Sequence, residues 1–397
     1  MPAAEPSRPA RRHWRGIAAV IVALYALAAI FAGLDRISAS APMVERVVPG
    51  PFRAHADVAA ARIALAANDP RMAIRFAERA VEKAPMDSNA SAALATGLLL
   101  TKDFPGADAA FRVSAAGGWR NIVTQLYWAE QSVFGGDWDL AAARIDAVLR
   151  ANPTIDQADR IRALLEDDPR GRTALAAKLA ARPVWLTPYV NVDAATPTAV
   201  LLQRAAIVRE VAATSPPLGC DTIAPMARAL RDRGRIDVAE TTWRQHCPGG
   251  SGLGPGTDGS LGLWRDASND PFGWTLSAQG DLVIEVPRSP SGSFMAENLS
   301  SASRLVATRP LRIPATARRV TWRAAEADGT VSSRISVSLT CGAPWLPQTR
   351  DGQYGAQALP ALSCPVATVG LWLAPGRGAV SIDRLAVEPA DRATSDS

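Results

Sequence analysis

Three aspartates, Asp69, Asp103 and Asp137, stand 34 residues apart, and two alanine columns keep the same interval: Ala61, Ala95, Ala129 and Ala73, Ala107, Ala141. Alanine is common enough in this chain to coincide with itself. An aspartate column closed by Pro85 and Pro153 is not explained by composition. The interval suits a pair of helices. The first needs a small residue where its partner crosses, a polar turn follows, and the second presents another small residue at the contact. Asp69-Pro70, Asp103-Phe104-Pro105-Gly106 and Gly135-Gly136-Asp137 supply the turns. Ala77, Phe111 and Ile145 lie one turn beyond the second alanine on the same face. Pro85 and Pro153 then stop the helix, because each lacks the N–H that the next backbone bond would need.

Over residues 54–155 this pattern resembles the tetratricopeptide repeat, with its 34-residue period and small–small–aromatic–proline order. Two positions depart from it. His55 stands near the place where the family often has Trp, and the second copy closes on Trp119 instead of Pro. Ala227, Ala239 and Trp243 repeat the register as a partial fourth copy, while residues 154–215 are helical by period without holding it. The resemblance implies a degenerate α-solenoid over 54–247. In such arrays the first helices line a concave groove where partner segments dock. The register places Arg62, Asn89, Thr96 and Glu130 there, as expected contacts for envelope proteins.

Upstream, Gly16 to Leu34 is a run of nineteen residues without a charge, close to what a helix needs to cross about 30 Å of hydrocarbon. Arg8, Arg11, Arg12 and Arg15 against Glu5 put +3 of the formal +5 into residues 1–15. A basic flank before the span and little positive charge after it place those residues in the cytoplasm and the bulk across the membrane. The expected location is a bacterial inner membrane, with a single pass, a spacer at 35–53 and a periplasmic body. A cleaved signal peptide competes, since Ser38-Ala39-Ser40 and Ala39-Ser40-Ala41 offer small residues. The length of the apolar run and Pro42 after the second site favour a retained anchor.

An exported body with four cysteines favours two disulfides. Three connectivities are possible, and the cysteines fall into the local pairs Cys220/Cys247 and Cys341/Cys364, with no C-x-x-C for redox chemistry or a zinc knuckle. Cys220 and Cys247 flank the hairpin Ile223–Arg233 and Ile236–Gln245, where a bond clamps the last, least supported pair of helices.

Seven glycines in residues 248–262 mark a linker, and 263–389 changes to a period of two. Gly254-Pro255-Gly256-Thr257-Asp258-Gly259 spells a dinucleotide fingerprint, but no strand precedes it and no helix follows. Segments at 282–286, 319–322, 335–339 and 380–382 read as strands, with turns near Gly280, Gly329 and Gly376. The expectation is an antiparallel β-sandwich ending in a tail at 390–397. Pro271-Phe272-Gly273-Trp274 and Gly378–Val387 resemble the outer strands of jelly rolls of the galactose-binding or carbohydrate-binding-module kind. The stretch from Cys341 through Trp345 and Cys364 resembles the end of membrane-anchored repeat proteins found beside bacterial surface-polysaccharide genes. That resemblance implies sugar stacking on a loop aromatic, with Trp345, Arg350, Asp351, Gln353 and Tyr354 as the glycan contacts. Trp274, Trp322 and Trp372 belong to the core.

Catalytic chemistry finds little material. The three histidines, His13, His55 and His246, are scattered, and no G-x-S-x-G, H-E-x-x-H or Walker sequence occurs. Asp137/Asp139 and Glu166-Asp167-Asp168 sit where solvated caps are expected. No metal or cofactor is expected; Asp266, Asn269 and Asp270 with Asp383 are the residues that a structural calcium ion would draw on. Lysine occurs only at Lys83, Lys102 and Lys178, and no basic stripe points to nucleic acid. The combined expectation is a multidomain α + β, non-catalytic scaffold in surface-polysaccharide assembly or export. A carbohydrate-binding protein, or an envelope glycan-processing enzyme, is the alternative.

Overall fold

A computed structural model describes residues 9–256, 260–261, 269–277, 280–286, 294–345 and 355–389. Helices come first: α1 (Pro9–Ser38), α2 (Ala54–Ala66), α3 (Pro70–Lys83), α4 (Ser88–Leu100), α5 (Phe104–Ala116), α6 (Ile122–Phe134), α7 (Trp138–Ala151), α8 (Gln157–Asp167), α9 (Pro169–Ala180), α10 (Leu186–Val190), α11 (Thr198–Thr214), α12 (Cys220–Asp232) and α13 (Ile236–His246). Strands follow: β1 (Thr275–Leu276), β2 (Leu282–Glu285), β3 (Phe294–Asn298), β4 (Arg304–Leu311), β5 (Arg319–Ala325), β6 (Ile335–Thr340), β7 (Ala356–Ala358), β8 (Ala367–Leu373) and β9 (Val380–Glu388). The chain is therefore a mixed α and β protein. One compact unit runs to Lys178 and takes in Pro183–Trp185; the other comprises Leu179–Arg182 and everything from Leu186 onward.

In the first unit the 34-residue columns acquire distinct physical jobs. Asp69, Asp103 and Asp137 are the N-caps of α3, α5 and α7, accepting from the backbone N–H of Met72, Gly106 and Leu140 at 3.0, 3.0 and 3.1 Å. Each cap satisfies a donor that the first helical turn leaves orphaned. The residue before each cap, Asn68, Lys102 or Gly136, takes a left-handed φ of 57°, 67° or 74°. That reversal lets the cap's own N–H bond back five residues, to Ala64, Leu98 and Ser132, at 2.8, 2.9 and 2.8 Å. Both alanine columns are fully buried. They set the approach distance between helices, and Gly97 shows how close it is: a Cβ there would meet Ile74 Cγ1 at 2.8 Å.

The segment between the apolar run and α2 is folded. Helix α1 continues to Ser38, and residues 42–47 and 50–52 form two short 3₁₀ turns. Asp35 is buried and caps α2 from 20 residues away, accepting from the N–H of His55 at 3.1 Å and of Ala56 at 2.8 Å. Phe31, inside the uncharged run, packs its ring 5.6 Å from that of Phe52.

The second unit holds the α12–α13 hairpin, whose turn repeats the earlier one: Gly234 has φ 73°, and the N–H of Arg235 bonds to Leu230 at 2.9 Å. Ala227, Ala239 and Trp243 are buried at the equivalent positions. Cys220 and Cys247 are bonded across its open end, with Cα atoms 4.8 Å apart. Beyond it, a four-stranded sheet (β1-β4-β8-β6) and a five-stranded sheet (β2-β3-β9-β5-β7), both antiparallel, share one core built on Phe294, Val320, Ile382, Val337 and Leu371. Cys341 and Cys364 are bonded, with Cα atoms 5.7 Å apart.

The glycine-rich segment lies inside this unit. Buried Arg309 on β4 donates to the carbonyls of Gly252 at 2.9 Å, Gly254 at 3.3 Å and Phe272 at 3.1 Å, and also to that of Leu261. Glu240 on α13 accepts from the N–H of Leu253 at 2.9 Å and from Arg312 at 2.9 Å. A charged group gathering so many carbonyls immobilises a backbone that its glycines would otherwise leave free.

Candidate functional site

The first helices α2, α4 and α6 carry the positions assigned to a partner groove. Two of the four come together. Arg62 donates to Asn89 Oδ1 at 2.9 Å, and Asn121, the N-cap of α6, donates to the same oxygen at 3.1 Å. Asn89 in turn donates to Asp87 at 3.2 Å, and Asp87 lies 3.5 Å from His55 Nδ1. One polar ladder thus joins α2, α4 and α6. Thr96 bonds instead to its own helix, at Ala92 O, 2.8 Å away, and Glu130 pairs with Arg160 of α8.

At the opposite ends of α4 and α6 from Asn89 and Asn121 stand two large apolar side chains one period apart. Leu100 and Phe134 close α4 and α6 and are 51% and 72% exposed. A monomer gains nothing by exposing them at equivalent positions, and a repeated exposed apolar side chain is what docking surfaces present. Sequence reading passed over this pair because both lie at helix ends, next to the turn.

A second column also escaped notice. Asp57, Ser91 and Gln125, again 34 apart, are all buried on the first helices. Asp57 is met by Lys83 at 2.9 Å, Arg53 at 3.2 Å and Arg79 at 3.6 Å. Gln125 accepts from Arg144 at 2.6 Å, while Ser91 Oγ has no partner among the described residues. Burial pulls the Arg144 guanidinium below its ordinary range, and its far face lies 4.1 Å from the Trp119 ring. Trp119 therefore covers a half-buried cation where the other copies have proline. Helix α3 does carry a basic row, Arg71, Arg75, Arg79 and Lys83, of which Asp57 engages the last two.

In the second unit Trp345 is 63% exposed near the Cys341–Cys364 bond. Arg350, Asp351, Gln353 and Tyr354 lie outside the described residues. Trp274 is buried, Trp322 packs against the core, and Trp372 donates to Ser338 Oγ at 2.9 Å. Of the residues considered for calcium, Asp266 lies outside the described residues. Asn269 donates to Asp221 at 3.1 Å, Asp270 accepts from the N–H of Ser251 and Phe272, and Asp383 lies 3.4 Å from Arg323. Among the described residues no group of three or more His, Cys, Asp or Glu side chains has metal-binding spacing.

Three of the titratable groups singled out in the sequence have structural partners. His246 is buried, accepting at Nδ1 from the Leu218 N–H at 3.1 Å and facing Val208 O with Nε2 at 2.8 Å. Burial lowers its pKa. Asp137 is a cap, and the Arg170 side chain holds the Asp168 carboxyl below the usual carboxylate range. No protein-family model matches the chain, and no curated protein sequence matches it.

Proposed function

We propose that this chain is a non-catalytic, membrane-anchored scaffold: α1 crosses the membrane, the amino terminus lies in the cytoplasm, and the helical hairpins work in the periplasm as a tetratricopeptide-like solenoid. The 25-residue apolar stretch Trp14–Ser38 is long enough to span. Asp35 favours retention over cleavage, since processing at residues 39–41 would remove the cap of α2. Two disulfides fit an oxidising compartment. One observation carries the scaffold reading: Leu100 and Phe134 stand exposed one period apart at the ends of successive first helices. The partner would be an envelope protein of surface-polysaccharide assembly or export. Crosslinked native membranes test this. The intact protein should retain such a partner that the double variant Leu100→Asp, Phe134→Asp loses. Equal recovery by both, or recovery by neither, would contradict the reading.

The exposure of Trp345 favours a second role, sugar binding by a jelly-roll-like β domain. Calorimetry of the full chain against the host's own polysaccharide should then show binding that Trp345→Ala abolishes. No heat of binding removes this role.

A further inference from the structure

The end of α1 and the turns after it expose a surface that the scaffold reading does not use. On the side of α1 away from Asp35, Arg36 and Ile37 are exposed. The 3₁₀ turn Pro42–Val47 buries neither Met43, which is 84% exposed, nor Arg46 and Val47. Arg36 and Arg46 pair with no carboxylate among the described residues.

Contacts place the Pro85–Met86 turn at the same end of the first unit. Asp35 holds the His55 N–H, His55 lies against Asp87, and Met86 precedes Asp87 with 86% of its surface exposed. Four apolar side chains and two unpaired arginines therefore surround the exit of the apolar helix. Of the nearby carboxylates, Asp35 and Asp57 are buried on their own partners, Asp87 caps α4 and faces His55, and Glu45 is half-buried in the turn beside Arg46.

The height of this collar follows from the span itself. A span entered after Arg15 needs about 20 residues and so ends near Asp35. Phe31 is inside it, and Phe52 packs on Phe31. Residues that touch the span cannot stand off on a tether; they lie at the lipid boundary. There, exposed methionine and valine enter the acyl edge while arginines reach the phosphates.

We propose that residues 36–53, with Met86, seat the first hairpin directly on an anionic lipid surface. The inference rests on α1 being a membrane span. It fits an anchor that fixes the pose of the repeats: Asp35 and Phe31 couple α1 to α2, and the collar couples both to the bilayer.

The full chain, reconstituted into phosphatidylcholine vesicles with or without phosphatidylglycerol, tests this. All four native cysteines are bonded, so Met43→Cys, Met86→Cys and Leu24→Cys each take one fluorophore. Lipid-borne nitroxides should quench the label at all three sites. Quenching at positions 43 and 86 should rise with phosphatidylglycerol and fall in an Arg36→Gln, Arg46→Gln background, while quenching at 24 stays unchanged. Quenching at 24 alone would overturn the collar and leave the anchor standing. Quenching at 43 and 86 that ignores both lipid charge and the arginines would overturn the anionic surface. Absence of quenching at 24 would overturn the span and the collar with it.

Discussion

Asp35 Oδ1 accepts from the backbone N–H of Ala56 at 2.8 Å, so the last turn of the apolar helix caps the first helix of the first hairpin. The second carboxylate oxygen takes the neighbouring N–H, of His55. Two orphan donors of α2 are satisfied by a residue that a cleaved leader would carry away.

Asp35→Ala should therefore destabilise the first unit by about 1–2 kcal/mol, the worth of an N-cap. Thermal unfolding in detergent measures it. Intact mass of the purified protein should also show residues beyond Ser38 joined to the apolar run; a chain beginning at residue 39–42 would contradict this use of Asp35.

The three hairpin caps make a series. Asp69→Ala, Asp103→Ala and Asp137→Ala should each cost about 1 kcal/mol in urea unfolding, with Asn replacements costing less. Their similar geometry predicts similar losses. A neutral result at all three would mean that the turns are held by the left-handed residue alone.

His246 gives the second unit a pH dependence. Burial depresses its folded pKa below the ordinary histidine value, an effect that the bond to Val208 offsets only in part. The unfolded chain therefore binds the proton more readily, and stability rises with pH. The contribution is fully present above about pH 6.5 and is lost as pH falls below it, by at most about 1.4 kcal/mol per unit, until the folded group titrates. Urea unfolding between pH 7.5 and 5 checks the slope, which His246→Gln should flatten.

Arg309→Met should cost about 3 kcal/mol or more, because buried carbonyls lose their shared donor. Limited proteolysis should then cut within residues 248–256. Continued resistance there would assign the order of that segment to Glu240 and Trp243 instead.

What the sequence revealed and what it concealed follow from distance along the chain. The Asp and Ala columns were legible because caps and helix crossings are local demands that repeat with the hairpin. Helix ends at Pro85 and Pro153 followed for the same reason. Both cysteine pairs formed, being 27 and 23 residues apart and at element ends. Asp35 read as the end of a span, because its partners lie 20 residues on and are backbone groups. The glycines at 249–256 read as a linker, because the arginine that pins them is more than 50 residues away. Composition reports backbone freedom, and only the fold reports what removes it. Of the four positions that the register put forward for a groove, Arg62 and Asn89 are hydrogen-bonded to each other; the register could not show that Thr96 turns back to its helix or that Glu130 has a cation of its own.

Whether a partner docks on the face of α2, α4 and α6 is tested most directly by a photocrosslinking amino acid placed at Phe134 of the full-length protein in its native membranes. Glu78, exposed on α3, serves as the control position. A discrete crosslinked band from position 134, absent from position 78 and lost with Leu100→Asp, is the predicted result. No band from 134, or the same band from both positions, would contradict a docking face there.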